Sequence, residues 1–511
     1  MQNQGIGPWV SRRRERSQGD IAIAFRDQRI RYEELADRIL HLANALADRG
    51  VRSGDRVAYL GNNHPSFVET LFATATIGAI FVPLNTRLAA PEIEFALEDS
   101  GASTLVLHED LRDLARAGSW PTGVTRRIVV NGPAGDAVEE YESVLLSGAA
   151  SAIDAAVTLD DPAIILYTSG TTGHPKGAVL THGNLTWNCF NAIVDYGVTT
   201  AERVLLISPM FHVASLSMGA LPVLLQGGSV IVHEKFDPGA VLRTVQEERI
   251  TMLSGVPTTF QLLHEHPDWD TTDLSSLLHL TCGGSTMPER MLEAYEERGL
   301  AFSCGYGMTE TSPGATAMPT RTSREKMGSS GVSHFFTDVK IVGEDHAEVS
   351  PGEVGEIWVR GPNVIKEYWR RPDATAAAFV DGWFRSGDLG YFDADGYIFI
   401  SDRLKDMIIS GGENIYSAEV EGRIMEISDI AAVALIGIPD QKWGELPMAI
   451  VALKPGASLE PEAITQHLTG RLAKYKIPKR IVFVDELPRT ASGKVRKADL
   501  RSQFAAEAVS G

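Results

Sequence analysis

The sequence predicts an α/β protein, a large N-terminal part built on open sheets and followed by a small α+β domain, and three observations carry that expectation. Short apolar runs suited to buried strands alternate with segments long enough for crossover helices through the first half of the chain. From residue 339 to 364 the runs shorten and are broken by Gly343, Pro351-Gly352, Gly355 and Gly361-Pro362, the pattern of an antiparallel or barrel-like subdomain. Past the charged stretch Asp402-Arg403-Leu404-Lys405-Asp406, a helix-then-strand pattern occupies the last ~110 residues, enough for a core of its own. The expected domains are residues 1–401 and 402–511.

Element by element, Leu35, Ile39, Leu42 and Leu46 recur at helical spacing, and Arg56-Val57-Ala58-Tyr59-Leu60 then reads as a strand. Further strand-like runs fall at 104–107, 127–130, 204–207, 229–232 and 251–253. Near the end, Ser417 is placed to cap a helix presenting Val420, Ile424 and Ile427 on one face, with a strand at 432–436 behind it. A length of 511 residues exceeds what one hydrophobic core usually supports.

Composition narrows the function classes. With 66 acidic and 47 basic residues the formal net charge is −19, which disfavours nucleic acid and anionic lipid as partners. Three cysteines, Cys189, Cys282 and Cys304, lack paired spacing and fit a reducing compartment, so a cytoplasmic protein is expected. The arginines at 12, 13, 14 and 16 precede no secretory apolar segment. Residues 70–84 are too few for a membrane span, and residues 213–232 are interrupted by Gly219, Pro222, Gly227 and Gly228, so membrane contact is expected to be peripheral at most. A monomer or homodimer is expected.

Function is concentrated in Tyr167-Thr168-Ser169-Gly170-Thr171-Thr172-Gly173-His174-Pro175-Lys176-Gly177, directly after the strand-like Ala163-Ile164-Ile165-Leu166. Glycines let backbone N–H groups turn toward an anion, while the hydroxyls and Lys176 add donors and charge, so the stretch reads as a triphosphate cradle. It is not a Walker loop: Gly177 follows the lysine, and Ala178-Val179-Leu180 continues as strand rather than helix.

Other motifs follow in fixed order: Pro209-Met210-Phe211-His212; Cys304-Gly305-Tyr306-Gly307-Met308-Thr309-Glu310; Gly382-Trp383-Phe384-Arg385-Ser386-Gly387-Asp388; the 402–406 stretch with Ser410-Gly411-Gly412-Glu413-Asn414; and Pro488-Arg489-Thr490-Ala491-Ser492-Gly493-Lys494. Together they resemble the adenylate-forming superfamily of acyl-CoA synthetases, luciferases and peptide-synthetase adenylation domains, across essentially the whole chain. Within it the pattern is most like the fatty-acyl-CoA synthetases of actinobacterial type.

The resemblance implies a large domain of two α/β sheets with a barrel-like subdomain and a mobile C-terminal lid. It also implies ATP, Mg²⁺ and coenzyme A, with a small-molecule carboxylic acid as the substrate partner. The acid would be joined to AMP with loss of pyrophosphate, then passed to the thiol. Thr168, Ser169, Gly170, Thr171, Thr172, Gly173 and Lys176 would hold the phosphates, and Glu310 the metal, a hard oxygen suiting Mg²⁺. Gly283, Gly284 and Ser285, after Cys282, would form a shelf beside adenine. Tyr306 would stack on that ring, with Gly307 and Thr309 adjoining. Asp388 would accept hydrogen bonds from the ribose hydroxyls, with Arg403 on the ribose or a phosphate. Lys494 would bridge carboxylate and α-phosphate during adenylation.

For the second step the small domain would turn about Lys405. Gly411 and Gly412 would leave room for pantetheine, and Trp443, Tyr475 and Lys479 would hold the nucleotide end of coenzyme A. Ile477 stands where some aryl-acid relatives carry arginine. By analogy the acid would lie among Trp187, His212, Val213, Ala214, Gly305, Gly307, Met308 and Ser312, with His212 bordering the reacting carboxylate. None of these is cationic, which argues against amino acids and dicarboxylates. A medium- or long-chain fatty acid is the first expectation. The alternatives are an aryl-CoA ligase of coumarate or benzoate type, or an adenylating enzyme serving a carrier thiol, an amine or another acceptor. Lys494, Glu310 and Asp388, whose loss would mark a catalytically inactive relative, are all present.

Overall fold

Two twisted sheets share one core, and both follow from the apolar runs. The computed structural model describes residues 2–508, except 117–122, 136, 169–174, 284–286, 323, 405, 411–412, 441–442, 473 and 491–492. The first sheet has seven strands in the spatial order Glu139–Glu140, Arg126–Val130, Thr104–His108, Arg56–Leu60, Ile80–Pro83, Pro162–Thr168, Lys176–Thr181. All neighbours are parallel except the last pair. Its inner strands are apolar on both sides because both faces are covered. Val57, Tyr59, Phe81 and Val106 enter the main core, while Ala58, Leu60, Val82, Leu105 and Leu107 enter a second one.

The second sheet has nine strands, ordered Val332–Ser333, Gly314–Ala317, Phe302–Gly307, His279–Cys282, Met252–Gly255, Arg203–Leu206, Ser229–Val232, Ile21–Phe25, Gln28–Arg31. It is parallel through the middle and antiparallel at both edges. Val204, Leu206, Val230 and Met252 join the main core from this side, with helices Tyr32–Asp48, Pro65–Ile77 and His182–Tyr196 between the sheets.

The short-run region forms a five-stranded sheet of Asp338–Val342, Gly355–Arg360, Trp383–Phe392, Phe379–Val380 and Ile398–Arg403. Another five-stranded sheet orders Glu413–Ile415, Ile408–Ser410, Gly444–Leu453 and Ile430–Asp440, with Arg480–Val484 parallel to Gly444–Leu453. The chain forms two compact units, residues 1–339 with 359–384 and residues 340–358 with 385–511.

In the second unit the helix expected behind Ser417 runs Ser417–Ile424 and buries Val420 and Ile424. Ser417 is its first helical residue, not its cap, because its polar groups are engaged elsewhere. Its N–H donates to Asp402 and its hydroxyl accepts from Lys497. Lys497 also pairs with Glu421 at 2.8 Å, and Arg501 with Asp406 at 2.8 Å, so the C-terminal helix Lys497–Ala508 holds both the helix Ser417–Ile424 and one carboxylate of the 402–406 stretch. Among the described residues no helix is long and apolar enough to cross a membrane.

The helix His182–Tyr196 carries a buried polar stripe. Asn184, Asn188, Asn191 and Asp195 recur at helical spacing, and the three asparagines are shielded from solvent. Two of them bind loops and the third the start of the strand Gly314–Ala317. Asn184 Nδ2 donates to Pro362 O and Val364 O, both at 2.8 Å, and Asn188 takes the N–H of Gly314 at 3.1 Å. Asn191 donates to Thr337 Oγ1 at 3.0 Å and accepts from Phe336 N–H at 2.8 Å.

Asn363 completes the knot, donating to Thr311 O at 2.8 Å and Gly314 O at 2.6 Å and accepting from Thr337 Oγ1 at 2.8 Å. Asn363→Ala would orphan three buried groups, so it is expected to lower unfolding stability by about 2–4 kcal/mol. Urea unfolding measures this, and an unchanged midpoint would contradict the assigned role.

Candidate active site

The hairpin Pro162–Thr168/Lys176–Thr181 brings Thr168 opposite Lys176, and the strand continues past Gly177 as its sequence implies. Ser169, Gly170, Thr171, Thr172 and Gly173, at the tip, lie outside the described residues. The segment 367–369 lies along this hairpin: Trp369 N–H donates to Gly177 O at 2.7 Å and Val179 N–H to Glu367 O at 3.2 Å. A Cβ on Gly177 would fall 2.7 Å from Ile165 Cγ2 and 3.3 Å from Trp369 Cβ, so the close approach needs glycine.

That approach places Tyr368, a residue no motif singled out, between two that were. Its hydroxyl donates to Glu310 Oε1 at 2.8 Å, and Lys176 Nζ stands 5.5 Å from the centre of its ring. Burial and the Glu310 charge both push the phenol above its usual pKa, so it stays a donor. An ammonium over the ring face is favourable in its own right. Lys176, Tyr368 and Glu310 therefore form one constellation from three separate segments.

Glu310 sits in a single 3-10 turn, Thr309–Thr311, where the strand Phe302–Gly307 leaves the sheet. Ile365 N–H fixes its carbonyl at 2.9 Å. Tyr306, Gly307, Met308 and Thr309 are half-buried along this exit. The strand turns back on itself so tightly that Met308 N–H bonds Pro313 O at 3.0 Å, and a Cβ on Gly307 would lie 1.7 Å from that same oxygen. Ser312 is fully buried with φ 68°, and its hydroxyl has no partner among the described residues.

Gly283 follows the neighbouring strand, its N–H reaching Gly255 O at 3.3 Å; Gly284 and Ser285 lie outside the described residues. The donor set suits a hard divalent cation such as Mg²⁺. Glu310 offers a carboxylate, and among the described residues no group of three His, Cys, Asp or Glu side chains forms an all-protein cage, so substrate phosphates would complete such a site.

His212 is half-buried against Phe211, the ring centres 4.7 Å apart. It follows a junction between the sheets: Asn63, beyond strand Arg56–Leu60, accepts Met210 N–H at 2.8 Å and donates to Ser208 O at 2.9 Å. Of the residues expected around the acid, Val213 packs into the main core while Ala214 is exposed. Trp187 is half-buried, edge-to-face with Phe336 at 5.1 Å and with Phe190 at 5.6 Å.

In the second unit Asp388 pairs across the ladder with Arg403, whose side chain is outside the described set. The turn before Asp388 is braced: Glu356 takes Arg385 at 3.0 Å and Gly387 N–H at 3.2 Å, and Ser386 Oγ takes Asp388 N–H at 3.0 Å. Lys494 closes a tight turn with Thr490, bonded at 2.7 and 3.1 Å, around Gly493 at φ 85°. Trp443, Tyr475 and Lys479 are exposed on this unit and Ile477 is buried. Lys405, Gly411 and Gly412 lie outside the described residues.

Residues 10–369 match the AMP-binding enzyme family and residues 419–494 the AMP-binding enzyme C-terminal domain. Feruloyl-CoA synthases of Amycolatopsis and Streptomyces are 48% identical over 506 residues, 99% of this chain and 100% of theirs. An indoleacetate–CoA ligase of Aromatoleum aromaticum is 42% identical, covering 98% of each chain. The solved structure of a Mycobacterium tuberculosis fatty acyl CoA synthetase superimposes with a TM-score of 0.80 at 35% identity, over 98% of this chain and 99% of that one.

Proposed function

This chain belongs to the AMP-binding enzyme family as an AMP-forming acyl-CoA synthetase, and from that premise we propose that its acid is aromatic, an arylalkenoic or arylacetic carboxylate. The observation that carries the choice is the 48% identity, over 99% of the chain, to feruloyl-CoA synthases. The indoleacetate–CoA ligase at 42% points the same way. The sequence alone ranks a medium- or long-chain fatty acid first, because small residues at 214, 305 and 307 leave depth and no cation stands among the expected acid-site residues, with an aromatic acid close behind because depth and width cannot be separated along a linear chain. These relatives reverse that order, while a long-chain-fatty-acid–CoA ligase at 38% keeps the aliphatic reading as the rival.

In the first half-reaction a carboxylate oxygen attacks the α-phosphorus of ATP and the bond to pyrophosphate breaks. Two anions must meet, so electrostatics and positioning dominate the catalysis. Thr168, the glycine-hydroxyl loop and Lys176 would hold the triphosphate, with Tyr368 fixing both Lys176 and Glu310. Mg²⁺ bound at Glu310 would neutralise charge on the phosphate oxygens. Asp388 would take the ribose, Tyr306 with Gly283, Gly284 and Ser285 the adenine, and Lys494 would supply the ammonium that adenylation requires.

In the second half-reaction the coenzyme A sulfur attacks the acyl carbon and AMP leaves. Gly411, Gly412, Trp443, Tyr475 and Lys479 would serve coenzyme A, with Lys405 as pivot and His212 bordering the carboxylate.

A pyrophosphate-release assay with ferulate, 4-hydroxycinnamate, indoleacetate, octanoate and palmitate, with and without coenzyme A, tests the reading. The aromatic acids are expected to give the highest kcat/KM and a thioester only when coenzyme A is present. Higher kcat/KM for both fatty acids would overturn it.

A further inference from the structure

Asp99 stands one residue from the end of the helix Ala90–Ser100, where a negative charge opposes the helix dipole and adds nothing to helix stability. Its oxygens are engaged by the phosphate hairpin and the segment beside it. Oδ2 accepts the Tyr167 hydroxyl at 2.8 Å, Oδ1 accepts Arg371, and the main-chain carbonyl accepts the Trp369 indole N–H at 3.1 Å. The side chain is 12% exposed. Burial, and next the Asp99 carboxylate, push the Tyr167 phenol above its usual pKa, so it remains the donor. The guanidiniums of Arg56 and Arg370 stand 5.7 and 5.2 Å from the Trp369 ring centre, and Arg56 donates to Ser100 O at 2.8 Å and Gly101 O at 2.9 Å, at the end of the same helix.

These contacts close a circuit. Tyr167 pairs with Gly177 across the hairpin, Gly177 O accepts Trp369 N–H at 2.7 Å, and the Trp369 indole returns to Asp99. Each member borders a residue of the proposed phosphate and metal site: Thr168 follows Tyr167, Lys176 precedes Gly177, and Tyr368 precedes Trp369. Successive strand side chains point to opposite faces, which sends Tyr167 to Asp99 and turns Thr168 the other way. The same split holds where Tyr368 bridges to Ala178, Tyr368 reaching Glu310 at 2.8 Å while Trp369 reaches Asp99.

Resting on the phosphate and Mg²⁺ reading of Thr168, Lys176 and Glu310 above, we infer that Asp99 is a positioning residue of the adenylation step, clamping the phosphate hairpin and the Tyr368 segment in one register from behind. It acts through Tyr167, Trp369 and Arg371. With the clamp released, the two segments loosen against each other, and Lys176 and Glu310 lose the firm placing of the tyrosine between them. The β- and γ-phosphates of ATP and their Mg²⁺ depend on that placing. The second half-reaction does not, because its acyl-adenylate has already lost pyrophosphate.

The test uses the full-length enzyme with the best acid of the panel above and its synthetic acyl-adenylate. Asp99→Ala is expected to raise KM for MgATP in pyrophosphate release about tenfold, the size of a lost hydrogen bond to a charged group, and to change thioester formation from supplied acyl-adenylate by no more than about twofold. Tyr167→Phe, which removes one hydroxyl and no charge, should raise the same KM about three- to fivefold. Asp99→Asn keeps an acceptor for Tyr167 and should fall between wild type and Asp99→Ala. A merely structural aspartate would depress both half-reactions alike, and that result overturns the assignment. So does an unchanged MgATP KM in Asp99→Ala and Tyr167→Phe beside a raised one in Lys176→Ala, which leaves the phosphate reading standing. If Asp99→Ala fails to fold, Tyr167→Phe decides by the same two readouts. An unchanged MgATP KM in Lys176→Ala sinks the phosphate reading and takes this assignment with it.

Discussion

Lys494→Ala is expected to slow acyl-adenylate formation by about a hundred- to a thousand-fold, while thioester formation from a supplied acyl-adenylate and coenzyme A changes by no more than about twofold. The first step forces a carboxylate against a phosphate, and an ammonium is the group on this chain proposed to offset that repulsion. The second step starts from a neutral acyl carbonyl and has no such need. The variant should keep its fold, because the turn is held by Thr490 N–H on Lys494 O, by Lys494 N–H on Thr490 Oγ1 and by Gly493 at φ 85°, none of which uses the lysine side chain. Pyrophosphate release in the forward reaction and thioester yield from synthetic acyl-adenylate separate the halves. Equal losses in both would remove Lys494 from its special place in adenylation.

Glu310→Gln should be nearly as severe, lowering adenylation about a hundred-fold and raising the Mg²⁺ concentration needed for half-maximal rate. Glutamine still offers a carbonyl to Tyr368, so the 2.8 Å bond that fixes the constellation has a replacement acceptor. What is lost is the negative charge, to which a hard cation responds more than to geometry alone. Mg²⁺ titrations of initial rate check the point. A variant with reduced rate but an unaltered Mg²⁺ requirement would move Glu310 from metal binding to scaffolding.

Much of the fold was legible because parallel strands buried on both faces must be largely apolar, as Arg56–Leu60 is past its first residue and Thr104–His108 is between its ends. The hairpin around Lys176 was legible for a related reason: Gly177 and the apolar residues after it admit a strand and not a helix. Tyr368 was not, since its contact with Glu310 depends on a loop laid beside Gly177 by main-chain bonds that leave no trace in residue spacing.

The stripe Asn184, Asn188, Asn191, Asp195 did carry a signal, but polar residues at helical spacing ordinarily mark a solvated face. Here the polarity is turned inward because two loops and the end of a strand need partners for their backbone groups. Ser417 looked like a cap for equally local reasons, and a lysine from the C-terminal helix claimed its hydroxyl.

The 1.7 Å gap between Pro313 O and the position of a Cβ on Gly307 leaves glycine as the residue that fits at 307. Gly305 is little freer, a Cβ there falling 2.9 Å from Thr316 O. Both positions are therefore closed to any side chain, since even a methyl collides there with main chain. With the acid beside these glycines, as proposed, a change of substrate has to come from the other side chains around it.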